Sequence, residues 1–217
     1  MATNKNTGWS NGHTLYCAAS GGGKSQALRA NKEIPKKGAR VLIWDPDEDH
    51  DCIRAETRAH FLKLVLSGLK KGGGFRVGLT VDSENVKDFE WFCEVVWRTL
   101  NGDRQTYIII EELADVSPSP AKATPIFGKV LRRSRKYGGV IHATTQRPSE
   151  ISKTCYTQCG RKFIGVQEGD DVAKMAKVAK VSIADIEALT DLSFWYKASG
   201  ANPAVKIKVK YKAVPKG

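Results

Sequence analysis

A glycine-rich turn between a strand-like run and a helix-like run restricts the fold of this chain more than any other feature. An apolar run at 13–18 precedes the turn, and an amphipathic segment at 24–34 follows it. The turn comprises Ala18, Ala19, Ser20, Gly21, Gly22, Gly23, Lys24 and Ser25. Glycines allow the backbone to curl so that successive N–H groups point inward at phosphate oxygens, and the helix N-terminus adds positive charge. The turn therefore predicts a phosphate-binding loop.

The residues of the turn also predict what the loop binds. The phosphate-loop pattern G-x-x-x-x-G-K-[ST] is matched at Gly23, Lys24 and Ser25, whereas Ala18 replaces its first glycine. The Lys24 ammonium can reach the β- and γ-phosphates, and the Ser25 hydroxyl can ligate Mg²⁺. ATP and Mg²⁺ are therefore the expected cofactors. The alternative is a flexible glycine turn, and the flanking strand and helix argue against it.

The rest of the chain alternates between short apolar runs and helix-length segments. The strand-like runs lie at 40–44, 75–81, 107–110, 139–145 and 162–166, and the helix-like segments at 53–69, 83–100, 126–137, 170–179 and 183–189. This alternation predicts an α/β fold with a mainly parallel sheet. Runs at 194–197 and 204–212 predict a C-terminal β-hairpin. We expect one domain over 1–217, with a polar arm at 1–12 and a basic hairpin and tail at 193–217.

Two adjacent acids follow the apolar run at 107–110. Ligands of parallel sheets bind beyond the carboxyl ends of the strands, which is where Glu111 and Glu112 lie. An acid at the first position can hold the magnesium shell, and an acid at the second can polarise water as a general base. Glutamate instead of aspartate at 111 adds a methylene, so we expect coordination through water. The alternative is two solvated acids at a strand end.

A glutamine and a basic segment flank the run at 139–145. Gln146 follows it, and its amide could hydrogen-bond the γ-phosphate or the lytic water if this strand lies beside the first. Upstream lie Arg132, Arg133 and Arg135. Some of them are expected to be solvated and some to bind DNA phosphates. One, for which we favour Arg135, could act on the ATP of a neighbouring subunit.

An excess of positive charge predicts a polyanionic partner. The chain has 35 Lys and Arg against 23 Asp and Glu, a formal net charge of +12. Such an excess favours nucleic acid or a phosphorylated ligand, although a merely soluble basic protein is the alternative. In the tail, Lys206, Lys208, Lys210 and Lys212 alternate with apolar residues. We expect this strand to protect a sheet edge, to contact DNA, or to do both.

Several features are missing from the sequence. No run approaches the roughly 18 apolar residues of a membrane helix, and residues 1–11 have no apolar core typical of a signal peptide. The five cysteines are scattered, which favours a reducing compartment and hence the cytoplasm. Cys155 and Cys159 have no matching Cys or His pair at zinc-site spacing, so we expect no metal there.

Taken together, the motifs resemble those of the FtsK–HerA superfamily of DNA-pumping ATPases. The resemblance rests on GGGKS, IIIEE and above all TTQRP, together with Asp45-Pro46 and the basic helix LRRSRKYG, and it covers roughly residues 15–192. It implies a three-layer, RecA-like P-loop NTPase core with an additional strand. In that core the Thr-Gln strand lies between the phosphate-loop strand and the strand that carries the two acids.

The resemblance also implies a function. It implies a ring, usually a hexamer, with double-stranded DNA in its pore. By the same resemblance Lys24 and Ser25 bind phosphate and Mg²⁺, Glu112 activates water, Gln146 senses the nucleotide, and one of Arg132, Arg133 and Arg135 completes the neighbour's site.

Short members of the superfamily are similar to the genome-packaging ATPases of membrane-containing double-stranded DNA viruses. A viral packaging motor subunit is therefore the first expectation, with a capsid vertex or portal as partner, in the host cytoplasm or the virion. The alternatives are a cellular or plasmid DNA translocase, a P-loop small-molecule kinase, and a nucleic-acid-binding protein with an inactive ATP site.

Overall fold

The computed structural model describes residues 8–200 and 202–213, so the ends of the expected N-terminal arm and C-terminal tail (1–7 and 214–217) lie outside the described residues. Within this part of the chain the strands are β1 (Thr14–Cys17), β2 (Arg40–Trp44), β3 (Ile53–Ala55), β4 (Phe75–Leu79), β5 (Thr106–Ile110), β6 (Gly139–Thr145), β7 (Arg161–Ile164), β8 (Ser193–Lys197) and β9 (Val205–Lys208). The helices are α1 (Lys24–Ala30), α2 (Arg58–Lys71), α3 (Val86–Thr99), α4 (Pro125–Arg133), α5 (Lys153–Gln158), α6 (Asp171–Ala179) and α7 (Ile183–Glu187), and a 3₁₀ turn spans Ser134–Tyr137. None of these helices is long and apolar enough to cross a membrane.

All of these strands form one sheet in the order β3-β4-β2-β5-β6-β1-β7-β8-β9. The strands from β3 to β7 are parallel, and β8 and β9 are antiparallel to their neighbours. This confirms the α/β fold, the mainly parallel sheet and the terminal hairpin. The strand β6, which leads into Gln146, lies between β1 and β5. The strand order implied by the resemblance is therefore confirmed.

The two faces of the sheet are covered differently. Side chains on one face, such as Leu42, Ile108 and Ile141, pack against buried residues of α2 to α7. On the other face, Ile43 and Ile109 belong to a smaller cluster in which α1 is the only helix of the described chain to take part. The strands β1, β2, β5 and β6 are buried on both faces. This explains why their sequences are mainly apolar and do not alternate between apolar and polar residues.

The structure corrects several predicted boundaries. The predicted helix at 53–69 begins with the short strand β3, and α2 starts only after Thr57, whose side chain accepts a hydrogen bond from the His60 N–H. Asn85 caps α3 in the same way, so this helix begins after the predicted position 83. The basic helix predicted to end at 137 becomes a 3₁₀ turn at Ser134. The short helix α5 was not predicted.

The last strand is also shorter than predicted. β9 ends at Lys208, whereas the period-two pattern extends to 212. Val205 is exposed and Val209 is buried, so the alternating apolar residues do not form one buried face. β9 is the edge strand of the sheet, and Lys206 and Lys208 are exposed along it.

Candidate nucleotide-binding site

The glycine turn after β1 has a backbone that only glycine adopts easily. Gly21 and Gly23 have φ angles of 74° and 94°. A Cβ atom at Gly23 would lie 2.7 Å from Cδ2 of Leu192, whereas one at Gly21 would meet no atom within 4 Å. Residues other than glycine are disfavoured by this backbone, and at position 23 also by the contact with Leu192.

The base of the turn is fixed to the neighbouring strands. The Ala18 N–H donates to the carbonyl of Thr145 at 3.3 Å, and the Ala19 N–H donates to the carbonyl of Val166 at 2.8 Å. The tip, Ser20 and Gly21, is exposed. No side chain caps the N-terminus of α1 at Gly23. The first N–H groups of α1 therefore face the turn without a side-chain acceptor, as an anion-binding loop requires.

Lys24 lies between this turn and the two acids. Its side chain is largely buried, and Nζ donates to the carbonyl of Ala19 at 3.5 Å. Burial lowers the pKa of Lys24, and the negative charges of Glu112 and Glu111 oppose that shift. The glycine turn and the acid pair, which are 87 residues apart in sequence, therefore meet around one ammonium group.

Ser25 contacts an aspartate that the sequence analysis did not assign. Its hydroxyl donates to Asp49 Oδ2 at 3.1 Å, and the Asp49 side chain is 47% exposed. Both groups border a cavity of about 290 Å³ that Gly21 and Lys24 also line. Hydroxyl and carboxylate oxygens are hard ligands of the kind Mg²⁺ prefers, so these residues fit a magnesium ion whose remaining ligands are waters and phosphates.

The buried residue Asp45 shapes the segment that carries Asp49. Asp45 at the end of β2 accepts the N–H groups of Asp49 at 2.8 Å and of His50 at 3.3 Å. Burial raises the pKa of Asp45. The cluster DPDEDH after β2 could have drawn attention to Asp49, because β2 lies beside β5 and its carboxyl end adjoins the acid pair.

Both carboxylate oxygens of Glu111 are hydrogen-bonded to other side chains. Its Oε1 lies 2.6 Å from His50 Nε2, and its Oε2 accepts a hydrogen bond of 2.5 Å from the Thr144 hydroxyl. Burial acts to raise the pKa of Glu111, but the hydrogen bonds from His50 and Thr144 outweigh it, and the net pKa is lowered. Glu111 therefore stays ionised within a buried network, while the Ser25 hydroxyl bonds to Asp49.

Glu112 is held by the strand that precedes Gln146. Its carboxylate accepts the Gln146 N–H at 2.9 and 3.0 Å and the Thr145 hydroxyl at 3.1 Å. Its backbone has a φ of 36°, in the left-handed region. Burial raises the pKa of Glu112 in spite of these bonds. A carboxylate of raised pKa beside a phosphate loop can accept a proton from water.

Gln146 lies where the sequence predicts it. Its backbone contacts Glu112, and its side chain is exposed at the tip of β6, next to the strand of the glycine turn. The following Arg147 forms ion pairs with Asp115 at 2.6 Å and Glu150 at 3.0 Å. Because β1, β5 and β6 are parallel neighbours, the glycine turn, the acid pair and Gln146 meet at one edge of the sheet.

The three predicted arginines lie away from this edge, near the start of β6 rather than its end. Arg135 donates from Nη1 to the carbonyl of Trp9 at 2.7 Å and is half-buried, whereas Arg132 and Arg133 are exposed on α4. Of the four tail lysines, Lys210 and Lys212 lie beyond the end of β9.

The thiols of Cys155 and Cys159 are buried 3.8 Å apart. Among residues 8–200 and 202–213, no three His, Cys, Asp or Glu side chains form a group that could hold a metal by themselves.

No protein-family model matches the chain. The chain is 36% identical over 209 residues to protein P9 of Pseudoalteromonas phage PM2. The matched region covers 93% of this chain and 92% of protein P9.

Three solved structures show a similar fold at low sequence identity. The genome packaging NTPase B204 of Sulfolobus turreted icosahedral virus 2, in complex with AMPPCP, has a TM-score of 0.75 at 15% identity, covering 93% of this chain and 99% of that one. The conjugative coupling protein TrwB has a TM-score of 0.64 at 12% identity and covers 93% and 85%. VirB4 of Thermoanaerobacter pseudethanolicus has a TM-score of 0.61 at 12% identity and covers 95% and 91%.

Proposed function

Because the chain belongs to the family of protein P9 of phage PM2 and has the fold of the FtsK–HerA-like P-loop ATPases, we propose that it hydrolyses ATP to translocate double-stranded DNA. As a finer proposal, it is a subunit of a viral genome-packaging motor. B204, which is named as a packaging NTPase, supports this finer proposal by its fold over 99% of its length.

One observation carries the proposal. The Gln146 N–H binds the carboxylate of Glu112, and that carboxylate in turn acts electrostatically on Lys24. A phosphate-binding lysine, a candidate base and a candidate sensor are thus in one network. A single triphosphate bound at the turn would lie within reach of all three, as hydrolysis requires.

Each residue then has a distinct task in hydrolysis. The turn from Ala18 to Ser25 holds the phosphates through its N–H groups, and Lys24 neutralises their charge. Glu112 takes the proton of the attacking water, and its raised pKa suits that task. The exposed amide of Gln146 contacts the γ-phosphate or the water.

Magnesium, when bound, neutralises phosphate charge and orients the oxygens that react. Ser25 would contact it, and Asp49 would hold its water shell through the carboxylate that now accepts from Ser25. We assign this shell to Asp49 in preference to Glu111. The reason is that His50 and Thr144 already bind both oxygens of Glu111.

The proposed partners follow from charge and exposure. Double-stranded DNA would pass through a homo-oligomeric ring, which we propose is a hexamer, and its phosphates would contact exposed lysines such as Lys206 and Lys208. The arginine that acts on a neighbour's ATP would be Arg132 or Arg133, because Arg135 is bound to Trp9 of its own chain. A capsid vertex or portal would anchor the ring in the host cytoplasm or virion.

An ATPase assay with and without long duplex DNA tests the proposal. We expect DNA to stimulate turnover and higher salt to weaken that stimulation. Sizing with a non-hydrolysable ATP analogue should show a ring. The substitution Lys24→Ala should abolish turnover, and Lys32→Ala, which removes an exposed lysine just after α1, should not.

Other outcomes would favour other functions. A turnover that duplex DNA of any length leaves unchanged at low salt would contradict translocation and favour a small-molecule kinase. DNA binding without turnover would indicate a nucleic-acid-binding protein with an inactive site. Full turnover in the Lys24→Ala variant would refute the assignment of the phosphate loop itself.

A further inference from the structure

The segment after β9 is fixed against the nucleotide-binding site at two points. The Val209 N–H donates to the carbonyl of Leu192 at 2.8 Å, and the Val209 side chain is buried. Three residues later, the side-chain amide of Gln26 bonds to both the N–H and the carbonyl of Lys212, each at 3.0 Å. Gln26 lies in α1, directly after Ser25. The chain between these two points is therefore held across the start of the phosphate-loop helix.

Tyr211 lies between the two anchors and faces the nucleotide cavity. Its side chain is 68% exposed, although the backbone around it is fixed. It lines the same cavity of about 290 Å³ as Gly21, Lys24 and Ser25. A large aromatic ring that is held in place yet left in solvent beside a phosphate site is typical of a surface that a planar ligand covers.

We propose that Tyr211 stacks on the base of the nucleotide whose phosphates bind the glycine turn. This inference rests on the proposed ATP-binding function and adds the residue that holds the base. Aromatic rings and nucleobases attract through their π-faces, and this attraction tolerates any base. The amide of Gln26 is engaged by the backbone of Lys212 at both its oxygen and its nitrogen, so it does not read the edge of the base. The site therefore does not distinguish bases by the groups on their edges. It favours purines only because they offer the larger ring for stacking.

Competition binding against a fluorescent ATP analogue tests this proposal with two probes, ATP and inorganic tripolyphosphate, both with Mg²⁺. Tyr211→Ala should weaken ATP binding about tenfold, which corresponds to about 1.4 kcal/mol. It should leave tripolyphosphate binding unchanged, because tripolyphosphate has no base. Tyr211→Phe keeps the ring and should bind ATP like the wild type. Since Tyr211 is exposed, neither change should alter the melting temperature.

Two further measurements check the mechanism. The ratio of ATP to UTP affinity should fall toward one in Tyr211→Ala. Gln26→Leu, which removes both bonds to Lys212, should weaken ATP binding and spare tripolyphosphate binding.

The outcomes separate this inference from the function on which it rests. Wild-type ATP affinity in Tyr211→Ala, together with lost affinity in Lys24→Ala, would overturn the stacking and leave the ATP site intact. Equal loss of ATP and tripolyphosphate binding in Tyr211→Ala would likewise overturn it, because the ring would then support the turn rather than the base. A wild-type chain that binds neither probe would overturn the proposed function instead.

Discussion

Two buried histidines should make this protein sensitive to mild acid. His13 and His142 are almost fully buried, and burial lowers their pKa values to about 4 and about 3. In the unfolded chain a histidine has a pKa of about 6.5. Between these values the unfolded chain binds more protons than the folded one, so stability is full above pH 6.5 and is lost as the pH falls toward the folded values.

The size of the effect follows from the two pKa values. At pH 5 an unfolded histidine of pKa about 6.5 gains about 2 kcal/mol from protonation, while a folded one of pKa 4 or below gains almost nothing. His13 and His142 together should therefore reduce the free energy of unfolding by about 4 kcal/mol between pH 7.5 and 5. This is a large part of the roughly 5–15 kcal/mol that stabilises a typical domain.

Urea unfolding at pH 7.5, 6 and 5 measures this loss. His142→Asn preserves a polar atom for the Tyr16 hydroxyl, which lies 3.0 Å from Nδ1, and should remove about half of the pH-dependent loss. His60→Asn changes an exposed histidine of α2 and serves as the control. Equal stability at pH 5 and 7.5, or a full loss that persists in His142→Asn, would show that the buried ring does not cause the acid sensitivity.

Three further predictions concern the nucleotide site. Glu112→Gln should bind ATP as the wild type does and lower turnover by about 10²–10⁴-fold, the usual contribution of a general base, and turnover near the wild-type rate would exclude that role. Asp49→Asn removes a carboxylate next to Ser25, so in a magnesium titration the Mg²⁺ concentration for half-maximal nucleotide binding should rise about tenfold. An unchanged midpoint would indicate that Glu111, and not Asp49, holds the water shell of the magnesium. Gly23→Ala should lower the free energy of unfolding by about 1–3 kcal/mol, because of its φ of 94° and the contact of the new Cβ with Leu192. Gly21→Ala meets open space and should lower it by about 1 kcal/mol. Equal losses for the two variants in urea unfolding would contradict the role of the contact with Leu192.

The sequence predicts the framework of the site because strand ends carry its motifs. The glycine turn, the acid pair and Gln146 each follow a mainly apolar run, and a parallel sheet brings the carboxyl ends of its strands to one edge. Once β6 is placed between β1 and β5, the sequence predicts that the three motifs lie close together. The predicted bounds of β1, β2, β5 and β6 agree with the structure to within about one residue, because burial on both faces leaves few polar residues in these strands.

The remaining residues depend on contacts that no local pattern encodes. Asp49 reaches Ser25 because Asp45 turns the chain after β2, and His50 binds Glu111 across 61 residues of sequence. β3 has only three residues, and its pairing with β4, not its own composition, makes it a strand. Tyr211 lies in a segment whose alternation predicts a strand, yet Gln26 binds that segment instead.

The backbone of Glu112 has a mechanical consequence. A non-glycine residue at φ 36° is disfavoured by about 1–2 kcal/mol. Hydrogen bonds to β6 hold it there: the Thr145 hydroxyl and the Gln146 N–H donate to its carboxylate, and its own N–H donates to the Thr144 hydroxyl. The position of the Glu112 carboxylate, the proposed proton acceptor, is thus set by the tip of β6 as well as by β5, which ends two residues before it. A small shift of that tip would move the carboxylate with it, so under the proposed mechanism the position of β6 would set when Glu112 can take a proton from water.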